Sequence, residues 1–100
     1  MINTYKVIWS DNSVEDLESI ITYLEKNWSE KEIRKFIQNL NSRIQLIKSY
    51  PLIFPSSPKS NKVRKAVLSK QTTIFYRVGP DIIELLSIFD SRQDPDKLEL

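Results

Sequence analysis

Arg64, Arg77 and Arg92 are the side chains of this 100-residue sequence best suited to chemistry on an anion. A guanidinium is a planar fork that binds phosphate or carboxylate through two parallel hydrogen bonds, so three of them on one surface would make a firm anion site. Lys59, Lys62 and Lys65 crowd the first arginine and extend the candidate binding set. Each distal arginine also has a local alternative. Arg77 can pair with Glu84 across a hairpin, and Arg92 with Asp90 or Asp94 beside it. Absences narrow the chemistry further. Without Cys there is no thiol catalysis, disulfide or thiolate metal site, and without His there is no Ser-His-Asp triad and no imidazole zinc site. Gly79 is the only glycine, which excludes Gly-rich phosphate loops. Any reacting group must come from Arg, Lys, Tyr, Asp, Glu, Ser or Thr. Asp11, Glu15, Asp16 and Glu18 form an acidic cluster, but at a helix start the macrodipole accounts for them, so no metal and no cofactor is assigned.

The charges are segregated along the chain. From Ile33 to Pro80 there are ten Lys and Arg and no Asp or Glu, whereas residues 1–32 carry three basic and seven acidic groups and residues 81–100 carry two and six. The formal net charge of +2 conceals this. A basic middle between acidic ends points to one electropositive face and to a partner that is a nucleic acid, a ribonucleoprotein or an acidic protein segment. The alternative is a basic face that is merely solvated.

The elements that must position these residues follow from periodicity. Tyr5, Val7 and Trp9 alternate with Lys6 and Ile8, a strand pattern. Asp11 or Ser13 is expected to cap a first helix, with Val14, Leu17, Ile20, Ile21 and Leu24 at helical spacing and an end near Asn27. Ser29-Glu30-Lys31-Glu32 is a capping box for a second helix whose stripe is Ile33, Phe36, Ile37, Leu40, Ile44 and Ile47. Tyr50-Pro51 ends that helix, because the residue before proline is pushed out of the helical region. Pro51 to Asn61 reads as an ordered surface loop. Lys62–Leu68, Thr72–Val78 and Ile82–Phe89 are rich in β-branched and aromatic residues and read as two successive hairpins, a three-stranded antiparallel meander. The prediction is one α+β domain over residues 1–100, ordered β-α-α-β-β-β, with the helices packed on one sheet and the first strand joining at an edge. Period alone does not say which sheet face is buried. Arg64, Ala66 and Leu68 share one face of their strand. Arg77 lies with Thr73 and Phe75, opposite Ile74, Tyr76 and Val78. Trp9, Trp28, Phe36 and Phe75 are expected to pack in the core or between helices. The sequence shows no signal peptide and no apolar run long enough to span a membrane, so a cytoplasmic protein with no membrane partner is expected.

The opening strand, Val14-x-x-Leu17-x-x-Ile20-x-x-Tyr23, Tyr50-Pro51, Val63-Arg64-Lys65, Ile74-Phe75-Tyr76-Arg77-Val78 and Ile88-Phe89-Asp90-Ser91-Arg92-Gln93-Asp94-Pro95 together resemble the RelE/ParE superfamily of type II toxins, also known as plasmid stabilization system toxins. The resemblance runs from Tyr5 to Pro95. It implies a small basic toxin that inhibits growth unless a cognate antitoxin protein, encoded beside it, binds it in a hetero-oligomer. In the RelE-like branch the toxin enters the ribosome and cleaves mRNA, a metal-independent endoribonuclease. There Arg64 and Arg92 match catalytic arginines, while Lys59 and Lys62 correspond approximately to loop lysines, and Lys62 is a further catalytic candidate if the chain is a nuclease. After Arg92, however, the chain offers neither Tyr nor His. The ParE-like branch, which binds DNA gyrase and traps its cleaved DNA complex, needs no catalytic residue. It is nearer in the long helical hairpin and the Arg-x-Asp-Pro ending. Inhibition of DNA gyrase is therefore the leading expectation, ahead of the nuclease. A third reading is a non-catalytic basic protein- or nucleic-acid-binding module.

Overall fold

The computed structural model describes residues 5–58 and 60–92, with β1 (Lys6–Trp9), α1 (Asp11–Asn27), α2 (Glu30–Ser49), β2 (Ser56–Ser57), β3 (Ser60–Val67), β4 (Thr72–Val78) and β5 (Ile82–Asp90). The five strands form one mixed sheet in the order β1-β5-β4-β3-β2. The expected meander is present as β3, β4 and β5, antiparallel throughout. β1 takes the edge and runs parallel to β5, with Lys6 opposite Ile82 and Trp9 opposite Leu85. The loop after α2 contributes β2, a short strand that was not anticipated, and β3 starts two residues before Lys62.

The first helix cap differs from expectation. Ser10, not Asp11 or Ser13, holds the extended cap conformation and accepts the Ser13 amide at 3.0 Å. Ser13 is buried instead, and its hydroxyl donates back to the Ser10 carbonyl at 2.8 Å. Ser10 wins because its hydroxyl does a second job, donating to the Leu86 carbonyl at 3.0 Å. Leu86 sits where the β4–β5 register slips, between Tyr76↔Leu85 and Phe75↔Ser87. A bulge leaves backbone groups without ladder partners, and α1 supplies them. Asn12 donates to the Leu86 carbonyl and Asp16 accepts the Ile88 amide at 2.9 Å. The second cap is as expected, with Ser29 accepting the Glu32 amide at 3.3 Å.

The core lies between the helical hairpin and one sheet face. Ile20 and Leu24 of α1 and Phe36, Leu40, Ile44 and Ile47 of α2 meet Ala66, Ile74, Tyr76, Ile83, Leu85 and Ile88. The buried sheet face is therefore that of Ala66, Ile74 and Tyr76, and residues paired with them or two along share it. Arg64, opposite Tyr76, belongs to the core side, and Arg77 to the outer side. Trp9 packs against the core as expected, while Phe75 is buried outside this cluster and Trp28 is partly exposed. No helix among the described residues is long and apolar enough to cross a membrane.

Candidate functional site

Arg64 organises the corner where α2 hands over to the sheet. Its Nη1 donates to the Phe54 carbonyl at 2.6 Å. One residue on, the Lys65 amide donates to the Pro55 carbonyl at 2.9 Å. From the next strand the hydroxyl of Tyr76, wholly buried, donates to the Pro51 carbonyl at 2.6 Å. The Phe54 ring meets Tyr76 edge-on at 6.4 Å, and the Arg43 guanidinium lies 5.8 Å over the same ring. Such edge-on and cation–π contacts add modestly to burial. Burial pushes the Tyr76 phenol up to about 12, with the Arg64 charge pulling weakly the other way. Tyr76 is therefore a protonated donor at neutral pH and unsuited to act as a base.

Arg92 organises a second corner. Asp90, 4% exposed, receives the Arg92 amide at 2.9 Å and Nε at 3.1 Å on Oδ1, and Arg92 Nη2 at 2.7 Å and the Thr72 hydroxyl at 3.0 Å on Oδ2. Burial alone would raise the Asp90 carboxyl. The hydrogen bonds and charge of Arg92, with the Thr72 hydroxyl, outweigh it and hold the group below its ordinary value. The guanidinium also lies 5.5 Å over the Trp28 ring, at the junction of the two helices. Beside it a shallow groove of about 350 Å³ is lined by Trp28, Phe36, Leu68, Lys35 and Glu32 as well as Arg92.

The three arginines do not converge. Arg64 pairs across to Tyr76 and Asp90 to Thr72. Four residues along β4 and two strand spacings across the sheet separate the Arg64 and Asp90 backbones by roughly 16 Å. Arg77 is on the opposite face, bound to Glu84 at 2.5 Å, the cross-hairpin pairing anticipated as its local alternative. Lys65 is half-buried opposite Phe75 on that outer face, and Lys62 is exposed on β3 two residues before Arg64. Lys59 and the tail Gln93-Asp94-Pro95 lie outside the described residues. Among the described residues no group of three or more His, Cys, Asp or Glu could hold a metal ion. Sequence reasoning missed the parts played by Tyr76, Phe54 and Trp28. Only Trp28 carried a legible signal, an aromatic at the hairpin tip.

Residues 7–95 match the family described as the ParE toxin of the type II toxin–antitoxin system, parDE. The chain belongs to the ParE toxin family. As a ParE-family chain it is a type II toxin–antitoxin toxin of the RelE/ParE superfamily. The fold of this ParE-family toxin is similar to the chromosomal ParDE toxin–antitoxin system from P. aeruginosa, with a TM-score of 0.73 at 17% identity over 88% of this chain and 97% of that one. It is also similar to the E. coli DinJ–YafQ toxin–antitoxin complex, with a TM-score of 0.62 at 9% identity over 89% and 94%. The YoeB/ParE toxin from Agrobacterium tumefaciens aligns with a TM-score of 0.62 at 13% identity over 85% and 96%. At these identities the likeness is one of fold. No curated protein sequence matched the chain.

Proposed function

We propose that this ParE-family toxin arrests growth by binding DNA gyrase and trapping its cleaved DNA complex, and that it works in the cytoplasm under the control of a cognate antitoxin. The observation that carries the reading is that the two candidate catalytic arginines are engaged at separate corners, Arg64 by the Phe54 carbonyl and Arg92 by Asp90, whose backbone lies roughly 16 Å from that of Arg64. Phosphoryl chemistry on RNA needs donors preorganised around one phosphate and a base near its 2′-hydroxyl. The phenol beside Arg64, that of Tyr76, is buried and protonated. A toxin that acts by docking needs a shaped surface and none of this machinery. An antitoxin partner is supported by the neighbours from P. aeruginosa and E. coli, a ParDE system and a toxin–antitoxin complex. An acidic antitoxin segment would suit the stretch from Ile33 to Pro80. It would lay a helix into a groove or add a strand at a sheet edge on that basic side.

The test is to express the toxin alone, map mRNA ends on ribosomes and measure gyrase-linked DNA breaks in the same cells. DNA breaks and an SOS response with uncut mRNA are expected. Codon-positioned mRNA cleavage with intact DNA would replace this reading with the RelE-like endoribonuclease. Harmless expression would leave the inert binding module.

A further inference from the structure

The turn between α2 and β2 exposes three large apolar side chains in four residues. Tyr50 is 62% exposed, Leu52 65% and Ile53 58%, the highest values among the large hydrophobic residues of the described chain. Beneath them the backbone is tied down. The Ile53 amide closes the turn onto the Tyr50 carbonyl at 3.1 Å, Pro51 is buried, and the carbonyls of Pro51, Phe54 and Pro55 are taken by Tyr76, Arg64 and the Lys65 amide. Leaving apolar residues in water on a loop that four hydrogen bonds immobilise costs solubility and brings no packing in return. Immobilisation does, however, remove the entropy cost that a flexible loop would meet on binding.

We infer that Tyr50, Leu52 and Ile53 form a preorganised docking knob that inserts into an apolar, carboxylate-rimmed pocket on a folded protein partner. The shape argues for a folded partner, because an unfolded peptide that gains structure on binding needs a groove to lie in and this element is convex. The charge argues for the acidic rim. Arg43 and Lys48 precede the knob, Lys62 and Arg64 follow it, and no acidic residue occurs from Ile33 to Pro80. The acidic start of α1 stands over β1 and β5, toward the opposite edge of the sheet. The inference rests on the proposed function, under which the pocket is on gyrase, and it assigns the contact to this turn and not to the arginines themselves.

The experiment measures binding of purified DNA gyrase to the full-length toxin, to Leu52→Ser/Ile53→Ser and to Val67→Ser, a control at an apolar residue 49% exposed on the outer sheet face. The double variant should bind about 30-fold or more weakly, by loss of two buried aliphatic anchors. Val67→Ser should bind like the parent. All variants should keep the parent's melting temperature, and if the double variant melts early the single Leu52→Ser replaces it with a smaller loss expected. The parent's association rate should fall as salt is raised, as charge steering requires. Parent-like binding by the double variant would overturn the knob while leaving the gyrase reading intact. Equal weakening by Val67→Ser would overturn it as a general effect of surface apolarity, and a salt-independent rate would overturn the acidic rim. If the parent itself does not bind gyrase, the functional reading fails and the knob falls with it.

Discussion

The Arg64 and Arg92 corners use the same side chain for opposite ends. At Arg92 the guanidinium faces a buried carboxylate and the two charges cancel locally, so the arginine serves the fold. At Arg64 the partner is a neutral carbonyl, and no carboxylate among the described residues pairs with it. Its charge therefore still contributes to the field of the basic segment, while its hydrogen bond fixes a loop. An arginine is thus not a site by virtue of its type. What it donates to decides whether its charge remains available to a partner.

Breaking the Arg92 corner should have the largest effect on stability. Arg92→Ala strands a carboxylate that is almost fully buried, and because the Arg92 side chain is itself 23% exposed we expect a loss of about 2–3 kcal/mol, below the full value for a deeply buried pair. Urea denaturation measures it. Acid sharpens the same contrast. Asp90 is held below its unfolded value of about 3.9, so its contribution is complete above that pH and is lost as pH falls through the lower folded value. In Arg92→Ala this acid-dependent loss should largely vanish, which a series of denaturation curves from neutral to acid pH would reveal.

Breaking the Arg64 corner should cost less in stability and more in function. Arg64→Ala removes one charge-assisted bond to a loop carbonyl, about 1–2 kcal/mol, and should speed amide exchange at Ile53 and Lys65, the two loop-closing donors. Arg64→Lys keeps the charge and should retain part of the growth arrest, as should Arg92→Lys if it folds. A nuclease would lose most of its activity in both, because the planar fork is lost. Growth arrest at matched soluble expression separates the two.

Tyr76→Phe leaves the ring and removes the hydroxyl beneath Pro51. A destabilisation of about 1 kcal/mol is expected. In the parent, stability should also fall between about pH 10, where an unfolded tyrosine ionises, and about 12, where the folded Tyr76 does. The phenylalanine variant should lack that increment. The smallest effect belongs to Arg77→Ala. Its pair with Glu84 stands on the outer face with the Arg77 side chain 56% exposed, so a change within about 0.5 kcal/mol is expected.

Much of the architecture was legible without coordinates. The limits of β4 from Thr72 to Val78, the end of α1 at Asn27, the Ser29 cap and the helix exit at Tyr50-Pro51 are all written in local pattern. Such features depend on residues within one or two turns of each other, where periodicity, capping and proline geometry act directly. The parallel sense of β1, the choice of Ser10 over Asp11 or Ser13, and the side of the sheet on which Arg64 lies were decided elsewhere. Alternation says that Arg77 and Tyr76 point to opposite faces but not which face meets the helices. The Ser10 cap exists because a bulge 76 residues later presents the Leu86 carbonyl. Arg64 holds a loop because the handover from α2 brings Phe54 under it. The sequence alone determined both helices, the strands other than β2 and the superfamily they compose. Only the tertiary structure decided what each arginine touches, because those partners are set by register and long-range packing.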